Sequence, residues 1–364
     1  MIAAVTLLIL IALAVAPGLI YRLGPRLSRA GLTLWVRSRF DPAVHGLPPR
    51  EQLDAHRAGP PPPADRSEEI RAVAHDAWEG DWRSAAAFAD AERQDWDERW
   101  SRLEVLRQIA DESDAWLDDW LRARPDDGTA VTVHAQVLLH RGWAVRGDGY
   151  AHDVPAGRMA RFMVQLNAAM EAARKAAELA PEDPGPWVVM VTAARGLGYE
   201  HDEFRQLWKE LVTRAPYHYE GHCQAMQYWC AKWAGSRRLM MQFAERAARN
   251  APAGSPLAGV YLHALHELTR RSGLSALPSS RAAKDLLESV ARSLNQVPGE
   301  DQRVHQLRHL LAQYLVKVRR YDAALEQFRL IGPWCGAEPW TKERDPVAAF
   351  DLARGIAAMR ASQT

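Results

Sequence analysis

Lysine is scarce in this chain. Of its 46 basic residues only 6 are Lys and 40 are Arg, a bias that, beside abundant Ala, reads as the composition of a GC-rich genome. Cysteine is scarcer still. Cys223, Cys230 and Cys335 are an odd number in a chain of 364 residues, which excludes a disulfide framework and fits a reducing compartment. There is no Gly-rich phosphate loop, no G-x-S-x-G elbow, no H-E-x-x-H and no pair of C-x-x-C motifs, so the corresponding nucleotide, hydrolase and zinc classes lose their usual signatures. β-Branched residues are sparse and no run alternates for long with period two, which argues against a sheet. Clustered positive charge is also missing from the folded part. The net charge is +1, but residues 1–39 hold five Arg and no acid, and residues 64–127 hold 19 acids against 9 Arg. That distribution disfavours nucleic acid as a partner and reads as solvated helix faces.

What is present begins at the N-terminus. "MIAAVTLLILIALAVAPGLIY" carries no charge over 21 residues, close to the ~20 apolar residues a bilayer span needs. Arg22, Arg26, Arg29, Arg37 and Arg39 follow it and no basic residue precedes it, which predicts a single-pass inner-membrane anchor with the rest of the chain cytoplasmic. A cleaved signal peptide is the rival reading, but its n-region would lack a basic residue and Pro17 would sit just past the "AVA" cut. Residues 22–40 alternate Arg with Leu, Trp and Phe and suit the headgroup level, so membrane contact is expected through residues 1–40. Residues 41–63 are rich in Pro and end in "GPPPPA", the composition of a semi-rigid spacer. The expected organisation is an anchor at 1–21, a basic segment and Pro-rich linker at 22–63, and a helical domain at 64–364.

Within that domain apolar residues recur at three and four. Cys223, Met226, Cys230, Trp233 and Ala234 form one such stripe, and Met240, Phe243, Ala244, Ala247 and Ala248 another. Pro181, Pro216 and Pro252 fall at intervals of 35 and 36, and Pro298 and Pro333 are 35 apart. Proline cannot continue a helix and restricts the residue before it. A period in the mid-thirties with two helices per unit predicts stacked helical hairpins. "AELAPEDPGPW" (177–187) is one such junction, with Trp187 opening the next helix. Further breaks are expected at Gly80 and Asp81, at Gly196 and Gly198, and at Gly235, where Ser236 is placed to cap the next helix.

Ala324 followed four residues on by Phe328, and a proline at Pro333, resemble the packing pair and terminal proline of tetratricopeptide repeats. Trp187 matches that family's first Trp, although Val191 stands where a small residue is expected and "RGDGYAHDVPAGR" interrupts one hairpin. The stretch "KWAGSRRLMMQFAERAARNAPAGSPL" (232–257), together with "LLHRGWAVRG" (138–147), resembles the bacterial domain of unknown function 4034 family, with Ala234 in place of Gly. The resemblance implies an all-α fold, a right-handed superhelical solenoid of tetratricopeptide-like hairpins, and no activity; the apolar segment 1–21 places one transmembrane helix before it.

Two sets of residues could carry function. His218 and His222 lie four apart, with Cys223 beside them, and His305 and His309 repeat the spacing. A metal-assisted enzyme could use the first pair if a third ligand arrived from another helix. Against this, Cys223 belongs to the apolar stripe and His218 falls before the helix starts, so no catalytic residue, metal site or cofactor is expected. The other set is a second face on the first helix of each hairpin, which lines the concave side of a solenoid. It comprises Arg195, then His222 and Trp229, then His263 and Glu267, then His305 and His309. Imidazole, indole and guanidinium suit a protein or peptide segment. A non-enzymatic adaptor is thus the leading expectation and the metal-assisted enzyme its alternative.

Overall fold

The computed structural model describes residues 31, 35–36, 38–92, 95–147, 154–273 and 277–361. The apolar segment 1–21 lies outside them, and no described helix is long and apolar enough to cross a membrane. From Ala64 to Arg360 the described residues form an all-α fold. Its helices are α1 (Ala64–Trp78), α2 (Trp82–Asp90), α3 (Trp96–Glu112), α4 (Ala115–Ala123), α5 (Gly128–Arg146), α6 (Ala156–Leu179), α7 (Gly185–Leu197), α8 (His201–Arg214), α9 (Tyr219–Tyr228), α10 (Arg237–Asn250), α11 (Val260–Ser272), α12 (Arg281–Leu294), α13 (Gln302–Lys317), α14 (Tyr321–Ile331) and α15 (Pro346–Arg360). They belong to two compact units. A central unit holds Pro61–Pro278 and Ser289–Val304. A terminal unit holds the described residues up to Pro60, Ser279–Glu288, and those from His305 onward.

Short polar side chains start these helices by accepting the free N–H groups of the first turn. Asp81 accepts from Arg83, Asp95 from Asp97 and Glu98, Asp127 from Thr129 and Ala130, Ser236 from Leu239, and Asp345 from Ala348. Prolines follow the ends. Pro181, Pro216, Pro252 and Pro333 each stand two residues past the last helical residue, at Leu179, Arg214, Asn250 and Ile331. Gly198, in the left-handed region at φ 73°, closes α7. Gly196, read from the sequence as part of that break, has a different task. A Cβ there would stand 2.3 Å from Leu166 of α6, and one at Gly142 of α5 would stand 2.6 Å from the same side chain. The two glycines let α5 and α7 close on Leu166, which is fully buried.

In the central unit α3 packs on α5, α5 on α7, α7 on α9 and α9 on α11, while α6 packs on α5 and α7, α8 on α7, and α10 on α11. The junction "AELAPEDPGPW" is held from beneath by a buried ion pair. Arg99 of α3 donates from Nε and Nη2 to Asp183 Oδ2 at 3.0 and 2.9 Å, from Nη1 to the Ala89 carbonyl and from Nη2 to Thr129 Oγ1. Asp183 Oδ1 accepts from the Gly185 N–H, at the first turn of α7. Both partners are 7% exposed. One guanidinium thus joins the end of α2, the start of α5 and the entry to α7. Removing one partner leaves a buried charge unmatched, at a cost of about 3–5 kcal/mol. Asp183→Asn and Arg99→Met are each expected to lower the urea unfolding free energy by that order, and the double variant by less than the sum of the two, in a double-mutant cycle.

The terminal unit departs from the expected layout. Residues 41–63 are expected from their prolines to form a spacer, yet residues 40–59 are folded onto α13, α14 and α15. Proline removes backbone donors but leaves carbonyls, and here side chains satisfy those carbonyls. The Phe40 carbonyl accepts from Arg50, Pro48 from Arg354, His45 from Arg329 and Ala58 from His309. Asp351 of α15 accepts from Arg50 at 2.8 Å and from Arg354 at 3.0 Å. Asp54 pairs with Trp334 in an isolated parallel bridge. At Gly355 a Cβ would lie 2.4 Å from Val36, and at Gly59 it would lie 2.3 Å from the His305 ring.

His309 is fully buried, and its tautomer follows from its partners. Nε2–H donates to the Ala58 carbonyl at 2.8 Å, and Nδ1 accepts from the Trp340 indole N–H at 2.9 Å. A second proton would face the indole donor. Burial pushes this imidazole down to about 4. Because the unfolded imidazole titrates near 6.5, the stability contribution is complete above that pH and is lost as pH falls from ~6.5 towards 4, with a slope of about 1.4 kcal/mol per pH unit for each such group. Urea midpoints from pH 7.5 to 4.5 are expected to decline, and His309→Gln to flatten the slope by one proton's worth.

Candidate functional site

Helix α9 and the turn after it bury more than expected: Met226 and Cys230 of the expected apolar stripe are buried and Cys223 is half-buried, and the His222–Trp229 face expected to open outward is buried as well. His222, Ala225, Met226 and Trp229 recur at i, i+3, i+4 and i+7, and all are buried. Glu220, Cys223, Gln224 and Gln227 follow the same spacing and are half-buried. The face expected to open outward therefore packs against α8 and α10. The His222 ring meets Trp208 edge-on at 4.8 Å and Phe243 at 5.9 Å. Trp229 lies against His201 at 4.9 Å and Phe204 at 5.6 Å. The choice is physical: α8 and α10 bring aromatic side chains, and the His222–Trp229 face carries rings to meet them, with Tyr228 stacked on Phe204 of α8 at 3.5 Å beside it.

That packing is incomplete. Between α8, α9 and α10 lies a cavity of about 670 Å³, lined among others by Trp208, His222, Trp229 and Phe243, with Arg205 and Arg246 at its charged positions. No acidic residue lines it. Tyr217, at its rim, is 47% exposed. His222 Nδ1 donates to the His218 carbonyl at 2.9 Å, so Nε2 keeps its lone pair. Burial pushes the ring down to about 4, so at neutral pH it is an uncharged acceptor. The cavity thus offers aromatic walls, one neutral acceptor and two guanidinium groups.

His218 caps α9, its Nδ1 accepting from the Gly221 N–H at 3.2 Å. Its ring lies edge-on to Trp100 at 5.8 Å and 3.7 Å from Asp97, and burial pushes it down to about 4. Burial also pushes the Cys223 thiol well up, so the thiolate is disfavoured. Both imidazoles spend Nδ1 on backbone, and among the described residues no three His, Cys, Asp or Glu side chains converge on a point that could hold a metal ion.

The remaining expected residues are dispersed. His263 shares a 2.7 Å hydrogen bond with the Tyr219 hydroxyl, and burial pushes it down to about 4. Glu267 pairs with Arg271 of its own helix at 2.6 Å. The Arg195 guanidinium lies over Trp143 at 4.4 Å and Trp233 at 5.4 Å. His305 and His309 belong to the terminal unit, where both are buried. The structure thus brings His222 and Trp229 together in one cavity and joins neither to the others. Sequence reasoning passed over Trp208 and Phe243 because their apolar spacing reads as packing, and Arg205 and Arg246 because single surface arginines carry no pattern.

The turn carrying Trp229 and Trp233 has an absolute requirement for glycine. A Cβ on Gly235 would stand 1.9 Å from the Trp229 carbonyl oxygen, which accepts from the Ser236 N–H at 3.0 Å. In a comparison with known proteins, the chain matches no protein-family model and no curated protein. The resemblance to the domain of unknown function 4034 family rests on the quoted stretches alone. Gly235→Ala is expected to displace this turn and destabilise the chain by more than the ~1 kcal/mol typical of a point substitution, seen as a lowered Tm and a red-shifted tryptophan emission.

Proposed function

We propose that the chain is a membrane-anchored, non-enzymatic adaptor built on a right-handed solenoid of tetratricopeptide-like hairpins, and that it binds a protein or peptide partner. The observation that carries the reading is the cavity between α8, α9 and α10: aromatic on its walls, basic at two positions and free of carboxylates. Such a recess takes an apolar or aromatic side chain of a peptide, and its arginines favour an acidic neighbour on that peptide. The solenoid reading is supported by the order in which α3, α5, α7, α9 and α11 pack on one another, and by the prolines that follow the helix ends. The anchor reading is supported by the 21 uncharged residues at the start and the arginines after them.

The test uses the full chain in its membrane. A photo-reactive amino acid at Tyr217, on the cavity rim, is expected to crosslink one defined partner, and the same amino acid at exposed Val164 is not. Arg246→Glu, an exposed change that leaves the core intact, is expected to weaken that partner's binding by about tenfold or more, ~1.4 kcal/mol. Equal crosslinking from both positions, or unchanged binding by Arg246→Glu, rejects the cavity as the docking site.

A further inference from the structure

Among the described residues Arg195 has no ion-pair partner. It extends from the last turn of α7 into the corner made by Trp143 of α5 and Trp233 of the turn after α9, two indoles that meet edge-on at 5.4 Å and 89°. Its Nε is buried without a hydrogen-bond partner, and among the described residues it takes part in no ion pair. The indole N–H of Trp143 is also buried and also lacks an acceptor. Arg146 lies over the same two rings, at 5.7 and 4.7 Å, and so adds like charge. The two carboxylates within electrostatic reach of Arg195 are bonded elsewhere, Glu220 to Gln224 at 2.5 Å and Glu267 to Arg271 at 2.6 Å.

Stacking on indoles contributes about 0.5–2 kcal/mol to a guanidinium, but the rings offer no hydrogen-bond acceptor to the buried Nε of this half-buried side chain. The indoles alone therefore leave this cation under-compensated, and burial pushes Arg195 down to about 10. Both unsatisfied atoms are donors. What completes them is an acceptor with negative charge. Glu220 and Glu267 nearby disfavour a dianion such as phosphate, and the planar fork of a guanidinium matches a carboxylate.

We propose that Arg195 and the Trp143 indole N–H form a carboxylate-binding site, with Trp143 and Trp233 walling the group that bears the carboxylate. The site deepens the peptide-binding reading, on which it rests, and lies on residues other than those lining the α8–α9–α10 cavity. A carboxylate can reach it from the free end of a peptide or from an acidic side chain.

The experiment measures thermal unfolding of the full chain in detergent at pH 7 with three probe pools. One holds N-acetylated tripeptides with a free C-terminal carboxylate, one the same peptides amidated, and one amidated tripeptides containing glutamate. At least one carboxylate-bearing pool is expected to raise Tm by about 2 °C or more, the neutral amidated pool is not, and Arg195→Met is expected to abolish the rise. A response to the free-acid pool alone identifies a chain end; a response to the glutamate pool identifies a side chain. Arg195→Met keeps the aliphatic stem and removes the uncompensated charge, so its own Tm without probe is expected to equal or exceed the wild type. Arg195→Lys, which keeps the charge and loses the fork, is expected to reduce the response. No rise with any pool, an equal rise with the neutral pool, a rise retained in Arg195→Met, or a Tm lowered by Arg195→Met overturns the proposal. Capture of the Tyr217-crosslinked partner equally by wild type and Arg195→Met, with no carboxylate response, leaves the adaptor reading standing and removes only this site.

Discussion

The central unit depends on one buried guanidinium. Arg99 reaches Asp183, the Ala89 carbonyl and the Thr129 hydroxyl at once. Helices that neighbour each other in sequence can pack locally, but nothing local fixes the angle at which α7 leaves its proline-rich junction. Asp183 does this by holding the Gly185 N–H with one oxygen and Arg99 with the other. The position of α7 then sets that of α9, which packs on it, and of the turn that carries Trp229 and Trp233. The cavity and the Arg195 corner both inherit their geometry from an ion pair made 84 residues apart in sequence.

Much of the architecture was legible because it is written in local chemistry. The prolines at 181, 216, 252 and 333 stand just beyond helix ends, Ser236 and Asp81 cap where their side chains allow, and Ala324 and Phe328 are buried on α14 as their spacing implies. What was not legible is which face of a helix turns inward. Both faces of α9 carry polar and apolar residues, and the decision lies with Trp208 and Phe243, whose proximity to His222 is a tertiary fact. The Pro-rich segment was misleading for a related reason. Composition reports that the prolines of residues 41–63 lack backbone donors; it cannot report that Arg329, Arg354 and His309 donate to the carbonyls of this segment from far along the chain.

Four of the thirteen histidines share one electrostatic environment. His218, His222, His263 and His309 are all pushed to about 4, in each case chiefly by burial. Their i, i+4 spacing suggests a ligand set on paper. In the fold, His222 and His309 each donate to a backbone carbonyl, and His218 accepts from a backbone N–H. The arginines divide differently. Arg99, Arg303 and Arg354 have carboxylate partners, whereas Arg195, like Arg308, has none among the described residues, and Arg195 lies over two indoles.

The bond between Arg50 and Asp351 spans 301 positions, and this has a bearing on how the polypeptide matures. On the ribosome, the stretch around Phe40 and Leu47 emerges long before the helix that covers it. Until then those side chains have no cover of their own, and closing so long a loop carries an entropy penalty that grows only slowly with its length. The terminal unit therefore cannot complete its fold until α15 has emerged, and a nascent chain halted before α15 would display a sticky segment to chaperones or proteases.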